Sequence, residues 1–365
     1  MITKINRKMK KSIYKQGTLL FISLFLIAFT ISAQEITKEF HKEYTAGTKT
    51  LDISNRYGDV VIQSWDKDQI IIDVKVTVDM SNREKAQKYL DYIDVQFSES
   101  DNLISAKTVI DDKFSFTGWG DSRKFSIDYN VKMPVGTDLT LANKYGNTDI
   151  DELHGLMNLD IRYGNITALK LTRGNIKPLN NLSLSYGKGT IDETGWLDLT
   201  VRYVGSIEIT KSQAILLDSK YSKLSLGEAS SMVGESKYDN IRIDNIKNLV
   251  LENGYTEVNI GELTKKLNYN GSYGSFSIDQ IPAGFESIDV ETRYMGVKLG
   301  IDESANYKLD AKVTYGGLKY NEDNFKNQRR IIENNSNEVS GTVGNEENPS
   351  SRVNVQASYG TVRLN

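Results

Sequence analysis

Aliphatic residues recur in pairs along most of the chain, on either side of a tyrosine. Before the tyrosine the pair lies at positions −6 and −4, as Leu51 and Ile53 do relative to Tyr57. After it the pair lies at +3 and +5, as Val60 and Ile62 do. A spacing of two places both side chains on one face of a β-strand. The pattern therefore predicts one strand before each tyrosine and one after it.

The buried face passes from even to odd offsets at the tyrosine, which a straight strand cannot achieve. The residues at +1 and +2 are often Gly, Asn or Asp, such as Gly58 and Asp59. Gly and Asn tolerate the positive φ of a sharp corner. We therefore expect the chain to turn at these residues, and to turn again at +6, where Asp and Gly alternate.

The tyrosine motif occurs twelve times with a short and nearly constant period. Between the second and eleventh copies the steps are 17 to 23 residues. Such a period indicates stacked repeats, and two strands with two corners form a coil that stacks on the next at about 4.8 Å. The prediction is an all-β parallel β-solenoid with coils of about 17–21 residues. The tyrosines are Tyr57, Tyr145, Tyr163, Tyr186, Tyr203, Tyr221, Tyr238, Tyr255, Tyr273, Tyr294, Tyr315 and Tyr359.

The 87 residues between the first two tyrosines do not repeat. Segments 69–79 and 123–134 alternate as half-buried strands do, and 82–93 is typical of a short helix begun by Ser81 or Asn82. An open solenoid edge invites aggregation. We therefore expect residues 34–135 to form an antiparallel β cap with one short helix, including the first repeat-like strand pair.

Residues 136–365 are expected to form the solenoid itself, with two irregularities. The polar segment 321–350, rich in Asn and Glu, is interpreted as a loop excursion before the last coil. The 23-residue step is attributed to a degraded copy near Arg173 that lacks its tyrosine.

The N-terminus has the layout of a secretory signal peptide. Six basic residues precede an apolar run at 19–31, and small residues end at Ala33. We expect a signal peptide at 1–33 and an exported protein, in the periplasm, on the outer surface or outside the cell. An uncleaved anchor is the alternative, but 13 apolar residues are short of the about 20 that span a bilayer. No further transmembrane segment is expected after cleavage.

Composition narrows the function classes. The sequence has no cysteine, which excludes disulfides, thiolate metal sites and cysteine nucleophiles. Loss of the signal peptide would change the formal charge from −3 to −9, so the basic footprint of a nucleic-acid-binding protein is absent. No cofactor is implied. His41 and His154 are the only histidines and are far apart, so no catalytic residue is predicted.

Two columns of the repeat are candidate surfaces. The tyrosines are interpreted as a structural ladder of stacked rings, with an exposed aromatic stripe for sugar rings as the alternative. The position before the tyrosine is basic in seven copies and could contact an anionic glycan, although solvated strand residues are the simpler interpretation. This basic column comprises Arg56, Lys144, Arg162, Arg202, Lys220, Lys237 and Arg293.

The acidic residues at +6 form the third candidate column. Carboxylates about 5 Å apart on successive coils could bind Ca²⁺ or act as a catalytic pair on a glycoside. Gly takes the same position in other coils, and Asp with Gly is typical of a turn. The turn interpretation is favoured, with Ca²⁺ as a weaker one. The residues are Asp151, Asp192, Asp244 and Asp279.

Three stretches resemble the bacterial "putative adhesin" family of secreted β-repeat proteins. They are the opening "LDISNRYGDVVIQSWDKDQIIIDVKV", the entry "VKMPVGTDLTLANKYGNTDI" and the finish "VSGTVGNEENPSSRVNVQASYGTVRLN". The resemblance spans nearly all of the chain after residue 33 and implies a location in the envelope or on the cell surface. It brings no catalytic residues with it.

The function expected from these features is that of a non-catalytic, exported β-solenoid, adhesin-like or a scaffold of the cell envelope or surface. A cell-surface glycan or an envelope protein would be its partner. A polysaccharide-active β-helix enzyme is one alternative. A periplasmic envelope sensor that partners a membrane regulator is another.

Overall fold

A computed structural model describes residues 34–80, 82–114 and 124–365, which are almost entirely β. The signal peptide expected at 1–33 lies outside these residues, as does Ser81. The helix of the described part, α1, spans Arg83–Asp91. The strands are β1 Gln34–Thr45, β2 Thr50–Arg56, β3 Val60–Trp65, β4 Gln69–Met80, β5 Ile93–Glu99, β6 Leu103–Ile110, β7 Lys124–Pro134, β8 Leu139–Lys144, β9 Thr148–Leu153, β10 Met157–Arg162, β11 Ile166–Leu171, β12 Asn180–Ser185, β13 Lys188–Arg202, β14 Ser206–Lys220, β15 Lys223–Lys237, β16 Asn240–Gly254, β17 Glu257–Ile281, β18 Ser287–Ile301, β19 Tyr307–Thr314, β20 Gly317–Lys319, β21 Phe325–Glu333, β22 Ser336–Val343, β23 Ser351–Ser358 and β24 Thr361–Leu364.

The repeats form the parallel β-solenoid that the periodicity predicts. Strands before the tyrosine pair in parallel with their equivalents in the next coil, as β8, β10 and β12 do. Strands after the tyrosine form a second parallel sheet, as β9 and β11 do. From β13 onward one strand continues through the second corner, so β13, β14, β15 and β16 each contribute to both sheets. Each coil thus has two flat sides.

The aliphatic pairs fill the space between the two sheets. Leu139 and Leu141 before Tyr145, and Ile150 after it, are each at most 3% exposed. The same positions are buried in most of the other coils, and the buried residues form one core cluster that runs from Ala46 to Leu364. Burial of each Leu or Ile side chain contributes about 1.5–3 kcal/mol. The core therefore holds the coils together without disulfides.

The N-terminal cap extends both sheets of the solenoid. In one, β1 pairs antiparallel with β4, β4 with β7, and β7 runs parallel to β3. In the other, β5 pairs antiparallel with β6, which runs parallel to β2. The helix α1 begins after Asn82, whose side chain accepts a hydrogen bond from the Lys85 N–H at 2.9 Å. It buries Ala86 and Leu90.

The segment 321–350 is a β-hairpin, which corrects the predicted polar loop. Strands β21 and β22 pair with each other, and β22 pairs antiparallel with β19. Polar residues mark this segment because almost all of β21 is exposed. The hairpin covers the last edge of the pre-tyrosine sheet, so its strands satisfy backbone groups that a loop would leave unpaired.

The final coil lies out of chain order. Strand β23 runs in parallel between β18 and β19, and β24 runs in parallel between β18 and β20. Tyr359 consequently stacks between Tyr294 and Tyr315. A period read from the sequence cannot show this order, because the register of one coil against another is a tertiary contact.

The long step near Arg173 is an insertion at the second corner, and the predicted degraded coil is wrong. Strand β10 pairs directly with β12, and the rings of Tyr163 and Tyr186 stack at 4.7 Å. No coil separates them. Residues 172–179 contain no strand and project from the stack.

The tyrosine itself makes the first corner, whereas the sequence predicted positive φ at Gly or Asn. All twelve repeat tyrosines have φ between 54° and 66°.

Glycine recurs at the position after the tyrosine for another reason, which is the close packing of neighbouring coils. A Cβ at Gly146 would lie 1.9 Å from the Gly58 carbonyl oxygen, and one at Gly164 would lie 1.8 Å from that of Gly146.

Replacing Gly164 by Ala should therefore destabilise the solenoid. The new methyl would overlap a backbone oxygen that cannot move alone, and we expect a loss of about 2 kcal/mol in the free energy of unfolding. The matched control is Gly296→Ala, two residues after Tyr294, where a Cβ meets no atom within 4 Å. Urea unfolding followed by circular dichroism measures both. Equal stability of the two variants would contradict the packing explanation.

Candidate binding surface

The twelve tyrosines form one continuous stack of rings, which we call the tyrosine ladder. Neighbouring ring centroids lie 4.7–5.1 Å apart, and neighbouring ring planes differ by at most 21°. Phe125 contacts the first ring, that of Tyr57, at a centroid distance of 5.1 Å. From Tyr145 onward each ladder residue is 42–54% exposed. The ladder is therefore an exposed ridge along one edge of the solenoid.

This geometry bears on the alternative of an aromatic stripe for sugars. A ring inside the ladder has both faces against neighbouring rings, for example Tyr221 between Tyr203 and Tyr238. Stacking of a sugar on an aromatic side chain needs an open ring face. The ladder offers ring edges to solvent instead, so it can border a ligand but cannot stack against one along its length.

Ring stacking also offsets the strain of the corner. A non-glycine residue in the left-handed region costs roughly 1–2 kcal/mol, and an aromatic pair contributes about 0.5–1.5 kcal/mol beyond burial. Each backbone N–H is used too: that of Tyr57 donates to the Lys144 carbonyl at 2.8 Å and that of Tyr145 to the Arg162 carbonyl at 2.9 Å. The conformational strain and the stacking energy are of similar size, so the tyrosine conformation at each corner depends on the neighbouring coils.

The basic column runs beside the ladder on the pre-tyrosine sheet. Strand register brings its members together in two groups. Arg56, Lys144 and Arg162 are direct neighbours on β2, β8 and β10, and we call them the first basic triad. Ser185 separates them from the second basic triad, which is Arg202, Lys220 and Lys237. Arg293 lies apart, beside Ser272 and Ser358.

The first basic triad borders a groove of about 440 Å³. The groove exists because Ser54 and Ala142, two residues before Arg56 and Lys144, have short side chains. The Lys144 Nζ lies 4.7 Å from the Tyr145 ring centroid and 5.6 Å from that of Tyr163, so both rings attract the cation. Arg162 forms an ion pair with Asp160 at 2.8 Å.

The second basic triad has a different surround. Two residues before Arg202 is Thr200, but Asp218 and Glu235 hold the equivalent positions before Lys220 and Lys237. The register places Glu252 of the next strand beside Glu235. Arg202 forms an ion pair with Asp218. The positive charge of this triad is therefore partly offset on the protein surface. The two triads share one column but differ in net charge.

The acidic residues at +6 do not stand on adjacent coils, which corrects the predicted 5 Å spacing. The register places Leu169 between Asp151 and Asp192, and Gly261 beside Asp244. Neighbouring carboxylates of the column are therefore at least two coils apart, or about 10 Å. Asp244 pairs with Arg242 and Asp279 with Lys298. Within residues 34–80, 82–114 and 124–365, no group of three His, Asp or Glu residues could hold a metal ion.

Close packing between coils explains why glycine replaces aspartate at the +6 position of some coils. A Cβ at Gly261 would lie 2.5 Å from the Asp244 carbonyl oxygen, and one at Gly300 would lie 2.0 Å from that of Asp279. At these levels the backbone of one coil approaches the next too closely for a side chain, whereas the earlier levels of Asp151, Leu169 and Asp192 carry one each. The Asp and Gly pattern is the mark of a tight corner.

Sequence reasoning missed a polar network inside the first corner of three later coils. There the glycine at +1 is replaced by Ser222, Asp239 and Thr256, all buried. The Ser222 N–H donates to the Asp239 carboxylate at 2.7 Å, and the Asp239 N–H donates to the Thr256 hydroxyl at 3.3 Å. The signal was present in the sequence as three successive polar residues at a repeat position that is usually Gly.

Comparisons with known proteins give distant similarities. No protein-family model and no curated protein sequence matches the chain. Among solved structures, a "putative adhesin" from Parabacteroides distasonis is 13% identical and covers 90% of this chain and 97% of its own, with a TM-score of 0.27.

Two further structures are similar over most of the chain. A "putative cell adhesion protein" from Clostridium sporogenes is 11% identical, covers 90% of this chain and 99% of its own, and has a TM-score of 0.19. A "putative lipid binding protein" from Parabacteroides distasonis is 10% identical, covers 92% and 98%, and has a TM-score of 0.27. The adhesin names agree with the family resemblance of the sequence. At these TM-scores the similarity identifies neither an activity nor a ligand.

A search of the described ranges for membrane-spanning helices finds none of sufficient length and apolarity.

Replacing a ladder tyrosine should test the stacking energy. Tyr221→Asn keeps a residue type that tolerates positive φ but removes two ring contacts, so we expect a loss of about 2 kcal/mol in unfolding free energy. Tyr315→Asn removes the single ladder contact, with Tyr359, and should cost about half as much. Chemical denaturation measures both changes. A Tyr221→Asn variant as stable as the parent protein would rule out stacking as the support of the corner.

Asp239 should make stability depend on pH in a defined direction. Burial raises the pKa of its carboxyl above the usual value, although hydrogen bonds from Ser236 and Ser222 act in the opposite sense. A carboxyl with a raised folded-state pKa binds protons more readily in the folded protein. Its favourable contribution is therefore complete below the unfolded pKa of about 3.9 and is lost as pH rises through the folded pKa.

The unfolding free energy of the parent protein minus that of Asp239→Asn should accordingly increase as pH falls from 7 to 4. Urea titrations at each pH measure this difference. Taking the difference removes the pH dependence that arises from the other titratable groups, because both proteins share those groups. A difference that decreases with falling pH would show that the hydrogen bonds outweigh burial.

Proposed function

We propose that this chain is an exported, non-catalytic protein of the bacterial envelope or cell surface, adhesin-like or a scaffold. The observation that carries the proposal is the uninterrupted stack of coils, which presents the same column of side chains at a constant spacing. At the roughly 4.9 Å spacing of its rings, the ladder of twelve tyrosines is about 54 Å long.

The size of the flat sides supports a binding role. Strands of about six residues are about 20 Å long, so one side of the solenoid offers about 1,100 Å². A standard protein interface uses about 800 Å² per partner. Repeated identical positions also let a repetitive partner make several weak contacts at once, and linked weak contacts can exceed either single affinity by about 10²–10⁴.

Export is part of the proposal because the first 33 residues have the signal-peptide layout and because the resemblance is to secreted proteins. The polysaccharide-active alternative gains no support from the acidic column, whose members alternate with Gly, Leu and Thr along the stack. No specific observation favours the envelope sensor.

Binding of the labelled purified protein to intact cells and isolated envelopes tests the proposal. We expect saturable binding that excess unlabelled protein displaces, with no new reducing ends in a panel of acidic and neutral glycans. Protease treatment of intact native cells should degrade a surface-exposed pool. An absence of saturable binding would overturn the adhesin or scaffold role.

Two other outcomes would point to the alternatives. Release of reducing ends or unsaturated sugars would identify an enzyme. A protease-protected pool that co-purifies with one membrane regulator from envelope extracts would identify a sensor.

A further inference from the structure

We propose that the first basic triad, Arg56, Lys144 and Arg162, binds the carboxylates of an acidic polysaccharide that runs along the solenoid axis. The inference rests on the proposed function, because it names the ligand class of that surface. Three observations carry it: the register of the cations, the room beside them and their unbalanced charge.

The register places one cation on each of three successive coils. Arg56 and Arg162 both pair with Lys144, on opposite sides of it. The rings beside these residues are 5.1 Å and 5.0 Å apart. A linear polymer with one carboxylate on each sugar could therefore contact successive cations without folding back. Arginine adds a planar fork that matches a carboxylate with two parallel hydrogen bonds.

The short side chains of Ser54 and Ala142 leave the groove in which such a chain could lie. Its floor is rigid. The Asn55 amide donates to the Ile127 carbonyl at 3.0 Å, and the Asn143 amide donates to the Asn147 carbonyl at 2.9 Å. These bonds tie the strands to the corner below the triad. A polysaccharide would therefore meet a preformed surface, which lowers the entropic cost of binding.

Charge distinguishes this groove from the rest of the column. The first basic triad carries three cations and one paired carboxylate, Asp160. Among the described residues, Arg56 and Lys144 form no ion pair with a carboxylate. In the second basic triad the equivalent positions are Thr200, Asp218 and Glu235, so two carboxylates lie beside the three cations, and Glu252 follows on the next strand. The second triad is therefore a control within the same molecule.

The geometry favours a polysaccharide over other polyanions. Single-stranded nucleic acid needs open aromatic faces for its bases, and the ladder rings face one another. Binding to an anionic membrane uses clusters of about 4–8 basic residues near a flat surface, whereas this site has three cations along a groove. Sugar hydroxyls can bond to the Ser54 hydroxyl and to the ring edges of the ladder. A chain of uronic acids fits all of these features.

The test uses polygalacturonate and its fully methyl-esterified form, which has the same backbone without charge. Binding to the purified protein is measured by calorimetry at low and at physiological salt. We expect the parent protein to bind polygalacturonate, with weaker binding at higher salt, and to bind the ester at least tenfold more weakly.

Two double variants then locate the site. Arg56→Gln with Lys144→Gln should reduce the affinity about tenfold or more, since it removes two charge-assisted contacts. Lys220→Gln with Lys237→Gln changes the net charge equally and should change the affinity less than twofold. Arg56→Lys with Lys144→Arg keeps both charges and should retain most of the binding. Thermal unfolding confirms that each variant is folded.

Several results would overturn the inference. These are equal loss in the two Gln variants, equal binding of the ester, and tighter binding of phosphatidylglycerol vesicles or polyphosphate than of polygalacturonate. Failure of this inference is distinguishable from failure of the proposed function. If the Arg56→Gln and Lys144→Gln protein binds cells as the parent does, adhesion stands and the triad is not its site. If the parent protein does not bind cells, the adhesin role fails while polygalacturonate binding can still be measured.

Discussion

The solenoid depends on a tyrosine held in the left-handed backbone conformation at the first corner of every coil. With φ near 55°, the chain reverses within one residue, and the inward face changes from even to odd positions. A lone non-glycine residue would resist this conformation. In the stack, each ring lies against the next ring, and most of the tyrosine backbone N–H groups donate to a neighbouring coil, as that of Tyr203 does to Lys220. The corner is therefore a collective property of neighbouring coils, and the close approach of backbones that excludes a side chain at Gly164 follows from it.

The repeat length and the buried face of each strand could be predicted from the sequence because both depend on residues that are close together in the chain. Leu139, Leu141 and Ile150 are buried where the alternation places them, and Asn82 starts the helix. Features set by contacts between coils were predicted wrongly. The sequence identified the corner but assigned the strained φ to Gly or Asn, since propensity describes a residue alone. The hairpin of β21 and β22 was taken for a loop because β21, exposed along almost its whole length at the end of the stack, lacks the apolar alternation of a core strand.

The candidate surface was predictable in composition but not in arrangement. Seven basic residues before the tyrosines were evident, whereas their division into two triads depends on Ser185 and on the residues two positions earlier. Those residues were in the sequence as Ser54 and Ala142 in one region and as Asp218 and Glu235 in another. Only the strand register shows that the first pair leaves a groove and the second neutralises a charge. The predicted 5 Å spacing of the acidic column was wrong for a related reason. The prediction placed the carboxylates on adjacent coils, although coils with other residues at this position lie between them.

The position of β23 and β24 has a consequence for how the protein is assembled. Residues 351–364 lie between coils that are made earlier, so one layer of the stack is missing until they arrive. Addition of coil upon coil in the order of synthesis or translocation can proceed from β8 to β18 but cannot finish in that way. Strand β19 can take its final place only together with β23, because β23 lies between it and β18. A chain that stops before residue 351 would therefore lack an inner layer of its core, and not merely its last coil.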